Sequence, residues 1–322
     1  MKALRIVSCF ALVAFLLFSP ALLKKGAQES FTDARFVRKD KGYQGTIVLY
    51  HIVRQRPYTG SLTKWLSDRA EAYEKKHRGT HIAVEGMDEA AFSERQEYGR
   101  GADAYSFFSG SVYEDLLQPL SDFETPYRDG LFQTDRCVPY AYSGYAKLIK
   151  SEQNGQSAYY GSDLTAARLG AGRDDAPEEK ADVLYLDLRR AGDLIRYKDG
   201  FAVSELEPID SFTDAVCWLG IDRNADEQKA AALTDFFAFL QSEDVQQTVN
   251  ALGMLSVRSD VRDTPPEAIL KPIYKTYATV KTVDPFRYQK MYDSLLADAV
   301  SAREGDADAA RRFASRLEEV IR

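Results

Sequence analysis

The sequence predicts an α/β protein whose core is a mainly parallel sheet with helices on both faces. From residue 46 onward, short β-branched or apolar runs alternate with amphipathic stretches, the order expected when each strand is followed by a crossover helix. A second set of the same parts, a buried strand and two amphipathic helices, occupies Phe212–Val261. A composition of 45% hydrophobic and 28% charged residues over 322 positions suits a folded chain able to bury one large core or two smaller ones.

The first strand is read at Thr46–Val53 (TIVLYHIV), a run apolar enough to be buried on both faces. Ser61 then offers a side-chain oxygen to the free amides of a helix whose inner face is Leu62, Trp65, Leu66, Arg69 and Tyr73. A strand at His81–Glu85, a short helix at Phe92–Tyr98 and a third strand at Asp103–Phe107 follow. The third strand runs into Ser109-Gly110-Ser111 and a predicted helix at Val112–Leu117, stopped by Pro119. A turn of small residues at a helix start can receive a polar ligand group.

Beyond Asn224, the positions Ala230, Leu233, Phe236, Phe237 and Leu240 repeat at the spacing of one buried helical face, with Lys229 and Asp235 off it. Ser242 is placed to cap a second helix, Glu243 and Asp244 sit in its first turn where the dipole favours negative charge, and Gly253 is suited to end it. At the tail, a helix within Gly305–Ile321 would pack through Ala310, Phe313, Leu317 and Val320.

Ile6–Leu23 is a nearly uncharged run that as a helix would span about 27 Å. It is read, with residues 1–25, as an export signal or a membrane anchor, and the polar stretch 26–43 as a linker. The absence of a cysteine just after the run argues against lipid attachment. Removing the four basic residues of 1–25 from the 42 in the chain leaves 38 against 49 acidic ones, which disfavours nucleic acid and anionic lipid as partners. Cys137 and Cys217, the only cysteines beyond the apolar run, are too few for a disulfide scaffold.

Several segments resemble extracellular solute-binding proteins of family 1, the ligand-capturing components of ABC importers. The run Glu85–Phe123, with its Ala-Asp pair opening a strand, its small-residue turn and its Leu-x-Pro-Leu ending, is similar to their first lobe. Val138–Tyr145 (VPYAYSGY) resembles the strand that crosses to the second lobe, and Phe212–Ile221 the strand that returns. A Phe-Leu pair, a glutamine at 246 or 247, and Ser256-Val257-Arg258 after Gly253 match the closing segment, and the alanine-rich tail resembles the family's last helix. The resemblance implies a two-lobed periplasmic-binding-protein-like fold with hinge strands between the lobes: residues 44–137 and 220–322 in lobe 1, and residues 138–219 as hinge crossings and a smaller lobe 2. Fewer than seventy residues, Gly144–Ser211, lie between the crossings, short for a sugar-binding member.

No catalytic motif is present: there is no Gly-x-Ser-x-Gly, phosphate loop or His-Glu-x-x-His, and Gly170-Ala171-Gly172 lacks a third glycine and a preceding strand. The three histidines lack metal-ligand spacing. No enzyme activity, cofactor or metal is expected.

The candidate ligand-binding residues are those expected to meet at the cleft. His51 lies near the end of the first strand, on the edge where open α/β sheets hold ligands. Tyr58 sits in the loop before Ser61; Phe108, Ser109 and Tyr113 flank the third-strand turn; Tyr142 and Tyr145 adjoin the first crossing; Trp218 lies in the return crossing. Asp187 and Arg189 follow the run VLYLDL, similar to a turn that faces the cleft in the family, and an arginine there can fork to a carboxylate or to paired hydroxyls. A helix salt bridge from Arg189 or Arg190 to Asp193 is the competing reading. Two adjacent hinge strands would also bring Cys137 and Cys217 close enough to be either bridged or free.

The resulting expectation is an extracytoplasmic, monomeric protein that captures a small solute, with carbohydrate preferred, for an ABC permease and ATPase, attached to the cytoplasmic membrane through its N-terminus if that segment is retained. The alternative is an accessory or sensory protein that presents its ligand state to a membrane receptor.

Overall fold

The computed structural model describes residues 42–53, 61–99, 101–150, 157–160, 174–178, 180–197, 203–208, 212–265, 267–279 and 281–321. The predicted leader, the linker up to residue 41 and Tyr58 lie outside them. Among the described residues, no helix is long and apolar enough to cross a membrane.

The apolar run at the start forms β1 (Gly45–Ile52), buried at five of its eight positions. Helix α1 (Leu62–Glu74) opens as expected on Ser61, whose hydroxyl oxygen accepts from the Lys64 amide at 3.2 Å. It packs inward through Leu62, Trp65, Leu66, Ala70 and Tyr73. Next come β2 (Thr80–Met87), α2 (Glu89–Glu97) and the wholly buried β3 (Ala104–Phe108). Only one 3-10 turn, Glu114–Leu116, replaces the predicted helix at Val112–Leu117. The chain there is drawn off by strand-like contacts, with the Gln118 amide donating to the Ile221 carbonyl and Leu117 bridged to Asp222.

Strand β4 (Val138–Tyr142) ends at Ser143-Gly144, and β5 (Tyr145–Lys150) begins a second sheet with β6 (Ser157–Tyr160), β7 (Asp174–Asp175), β8 (Val183–Asp187) and, after α3 (Leu188–Tyr197), β9 (Val203–Pro208). The return is two strands rather than the single predicted one: β10 (Phe212–Thr213), then Asp214-Ala215, then β11 (Val216–Ile221). The first sheet has the order β2-β1-β3-β11-β4 and the second the order β7-β6-β8-β5-β9. In the first, β1 runs parallel to β2 and β3, while β11 alone is antiparallel to its neighbours β3 and β4.

Helix α4 (Glu227–Leu240) buries Leu233, Phe236, Phe237 and Leu240 and is capped by Asp226. The helix after Ser242 is a single turn, α5 (Glu243–Gln246), followed by a 3-10 turn, Val249–Leu252, that ends on Gly253 at φ +71°. Ser242 does not cap it through its side chain: its hydroxyl turns back and donates to the Phe239 carbonyl at 2.7 Å.

One excursion was not anticipated. Residues 267–277, including α6 (Lys271–Thr276), lie against the second sheet's helix, where Arg196 pairs with Glu267 at 2.7 Å and Gly192 faces the Leu270 side chain. The chain then returns through β12 (Lys281–Thr282), which pairs in parallel with β10. Two helices finish the fold, α7 (Pro285–Arg303) and α8 (Ala307–Val320). Helix α8 buries Ala309, Phe313 and Val320; Ala310, expected inside, is exposed.

Cys137 and Cys217 are both free and fully buried. They belong to different apolar clusters, Cys137 with Trp218 and Leu117, Cys217 with Phe108 and Ala141, so proximity of the strands does not join the thiols.

Candidate functional site

The carboxyl ends of β1, β3 and β4 and the start of β11 share one edge of the first sheet, and both crossings leave from it. A buried polar row runs across this edge. His51 Nδ1 lies 2.9 Å from Ser106 Oγ, and Ser106 Oγ lies 2.8 Å from the Tyr140 hydroxyl. Cys217 adjoins Tyr140, and each affects the ionisation of the other. All four side chains are essentially closed to solvent. Burial first, and the Arg189 charge second, push the His51 imidazole down to about 4, so it is neutral at ordinary pH. Burial likewise pushes the Cys217 thiol up to about 12, which makes it an inert thiol.

The second sheet supplies the facing element. Asp187 ends β8 and caps α3, its Oδ1 accepting from the backbone amides of Arg189 at 3.0 Å and Arg190 at 3.2 Å. Burial raises the Asp187 carboxyl, and Arg189 opposes the rise. Arg189 is 6% exposed. Its Nε donates to the Leu252 carbonyl at 3.2 Å, so a side chain from the second sheet's helix is held by the first lobe's 3-10 turn. Its charge is felt by His51, Tyr140 and Cys217, the members of the polar row. Arg190 points elsewhere and pairs with Glu178, Nε to Oε2 at 3.0 Å.

The structure therefore brings His51, Asp187 and Arg189 into one region. The remaining candidates are distributed differently. Phe108 is in the core under α1 and α4. Ser109 accepts the Trp218 indole N–H at 2.9 Å, and Trp218, fully buried, lies 5.8 Å from the Phe132 ring. The Tyr142 hydroxyl donates to the Tyr277 carbonyl at 2.8 Å, and that of Tyr145 to the Asp214 carboxylate. Tyr113 is 59% exposed on the surface.

Several participants were missed in the sequence. Tyr140 and Tyr142 are two residues apart in VPYAY, which in a regular strand would put both on one face; a register shift opposite Cys217 and Trp218 separates them, so that Tyr140 packs with Trp65 and Leu66 and Tyr142 with Trp218 and Tyr277. Ser106 and the Leu252 carbonyl carried no signal in the sequence. A separate groove of about 690 Å³, lined by Glu243 of α5, by Gln247 just after it and by Asp260 and Arg262, contains no candidate residue. Among the described residues no group of acidic, histidine and cysteine side chains could hold a metal ion.

No family model matches the sequence, and no curated protein matches it. Solved structures do. The cyclic alpha-maltosyl-1,6-maltose binding protein from Arthrobacter globiformis superposes with a TM-score of 0.60 at 11% identity, over 85% of this chain and 97% of that one. The galacto-N-biose-/lacto-N-biose I-binding protein of the ABC transporter from Bifidobacterium longum gives 0.57 at 10% identity, over 86% and 96%. Iron-bound HitA from Pseudomonas aeruginosa gives 0.54 at 12% identity, over 80% and 98%. Sequence order, two sheets joined by crossing strands and these superpositions agree: the chain has the periplasmic-binding-protein-like α/β fold found in ABC-transporter substrate-binding proteins.

Proposed function

We propose that this protein captures a small solute between its two lobes, at the carboxyl edge of the first sheet, and makes or breaks no bond in doing so. The observation that carries the reading is Arg189: a buried cation from one lobe held on a backbone carbonyl of the other, near enough for its charge to be felt by the neutral His51. A ligand inserted there would meet groups from both lobes, and only the closed form offers both sets of contacts, so binding would favour closure. A neutral imidazole beside a guanidinium suits hydroxyl-rich solutes, because the guanidinium fork matches paired hydroxyls and the uncharged ring can donate or accept. We take a carbohydrate as the solute, the class named for two of the similar structures, and an ABC permease and ATPase as the recipients. In the same reading residues 1–25 direct or anchor the chain outside the cytoplasmic membrane, 26–43 form a tether, and the protein works as a monomer.

A thermal-shift screen of the purified chain against mono- and oligosaccharides, amino acids, polyamines and anions tests this. A true ligand raises the melting temperature by mass action, and the rise should vanish in Arg189→Ala while that variant stays folded. No shift with any solute, or turnover of one, would overturn the proposal.

A further inference from the structure

The connections between the two sheets are tied together by tyrosines on a single buried carboxylate. Asp214 lies at the turn between β10 and β11 and is 5% exposed. One of its oxygens receives the hydroxyl of Tyr145, the first residue of the outgoing strand β5. The other receives the hydroxyl of Tyr288, in the first turns of α7, at 2.6 Å. A second set of contacts surrounds this one. The Tyr277 hydroxyl donates to the Tyr145 carbonyl at 2.8 Å, while the Tyr142 hydroxyl donates to the Tyr277 carbonyl at 2.8 Å. Thr213 Oγ1 donates to the Ser143 carbonyl at 2.6 Å, and β12 is zipped onto β10 beside it.

Two chains would suffice to join two lobes; here a third segment, Tyr277 and β12, is bonded to both others. Hydroxyls donating to a carboxylate are among the stronger protein hydrogen bonds, and they bond well only over a narrow range of geometry. Rotation of one sheet against the other moves Tyr145 relative to Tyr288, since the first starts the second sheet and the second starts the terminal helical pair. Both cannot keep their bonds to Asp214 through a large rotation.

We propose that Asp214 is the latch of a three-segment hinge, coupling the angle between the lobes to the seating of the C-terminal helices α7 and α8. Opening breaks one tyrosine bond and loosens the α7 start, so the packing of the terminal helical pair follows the state of the lobes. The inference concerns the free protein and does not depend on any solute.

The test uses the full chain carrying Cys9→Ser, with spin labels at Lys75→Cys and Lys180→Cys, exposed positions just after α1 and just before β8; the two native cysteines of the described part are fully buried. Tyr288→Phe and Tyr145→Phe each remove one hydroxyl and keep the ring, and Asp214→Asn weakens both bonds. Each should broaden the interlobe distance distribution and raise amide exchange at the start of α7 about tenfold, in step with one another. Asp298→Asn is the control: it breaks the ion pairs of α7 with Arg312 and Arg316, outside the latch. It should raise exchange in α8 with the interlobe distances unchanged. The proposal is overturned if the phenylalanine variants change exchange without changing distance, if neither quantity moves, or if Asp298→Asn broadens the distances equally. Should Asp214→Asn fail to fold, the two phenylalanine variants still decide the matter.

Discussion

Arg189 and Gly253 stand against each other at the lobe junction: a Cβ built on Gly253 would lie 3.2 Å from the Arg189 Cα. Gly253 also holds φ +71°, a conformation that side chains with a Cβ resist. The adjacent Leu252 carbonyl accepts the Arg189 Nε, so the glycine both ends the 3-10 turn and lets the arginine approach. Gly253→Ala should therefore lower stability by about 1–2 kcal/mol, read from the urea midpoint. It should also weaken whatever solute the protein binds, because it pushes on the backbone that holds Arg189. Normal stability and normal binding in this variant would disprove the role given to the contact.

The pH response of His51 can be predicted with its sign. Its folded value is depressed to about 4 from 6.5, so between those values the unfolded chain binds a proton that the folded one does not. Stability should rise with pH through this window, be fully restored above about 6.5 and fully lost below about 4. The size is on the order of 3 kcal/mol. Asp187 and Asp263, both raised by burial, contribute with the opposite sign as they ionise. The difference between the wild type and His51→Gln isolates the histidine. Parallel pH profiles of the two proteins between pH 4 and 7 would contradict it.

Gln246 shows how far the sequence could be read. A glutamine in the second helix was one of the family-like marks, and the structure selects position 246 with a physical reason. The residue is fully buried. Its Nε2 donates to the carbonyls of Tyr140 at 2.8 Å and Leu240 at 2.9 Å, and its Oε1 accepts from Ser256 Oγ at 2.8 Å and the Val257 amide at 3.0 Å. One side chain thus fastens the β4 strand, the α4 end and the Ser256-Val257-Arg258 loop. Strand and helix order was legible because it rests on local periodicity, which also located α1, α4 and β1. The third hinge segment was not, since neither it nor the 267–277 stretch before it has a strong period in the sequence, and their lodging depends on distant partners such as β10 and Gly192. For the site, Arg189 and His51 could be placed at strand ends, where topology constrains position. Whether Tyr142, Tyr145 or Trp218 would face a ligand or the interior could not, because an aromatic ring with one polar atom serves either, and here each hydroxyl or N–H has an internal partner.

Gln246→Leu should leave the Tyr140 and Leu240 carbonyls and the Val257 amide without their partner in the interior. At roughly 1–3 kcal/mol for each unsatisfied buried group, partly relieved by relaxation, a loss on the order of 3 kcal/mol is expected. Chemical denaturation measures it. A loss below about 1 kcal/mol would mean that these groups find other partners at little cost.

The strictest prediction concerns Gly144 and Tyr277. A Cβ at Gly144 would fall 2.3 Å from two ring carbons of Tyr277, which is itself fully buried. The ring cannot step aside cheaply, because its hydroxyl is bonded to the Tyr145 carbonyl and its own carbonyl to the Tyr142 hydroxyl. Gly144→Ala should therefore disrupt the hinge strongly, by about 3 kcal/mol or more, in line with overpacking aggravated by the loss of hydrogen bonds. If the clash with the ring is the cause, Tyr277→Ala should make the added methyl far better tolerated, and the double variant should be less destabilised than the sum of the two single ones. The double-mutant cycle by thermal or urea unfolding decides this. Strict additivity would place the fault in the Gly144 backbone and remove Tyr277 from the explanation.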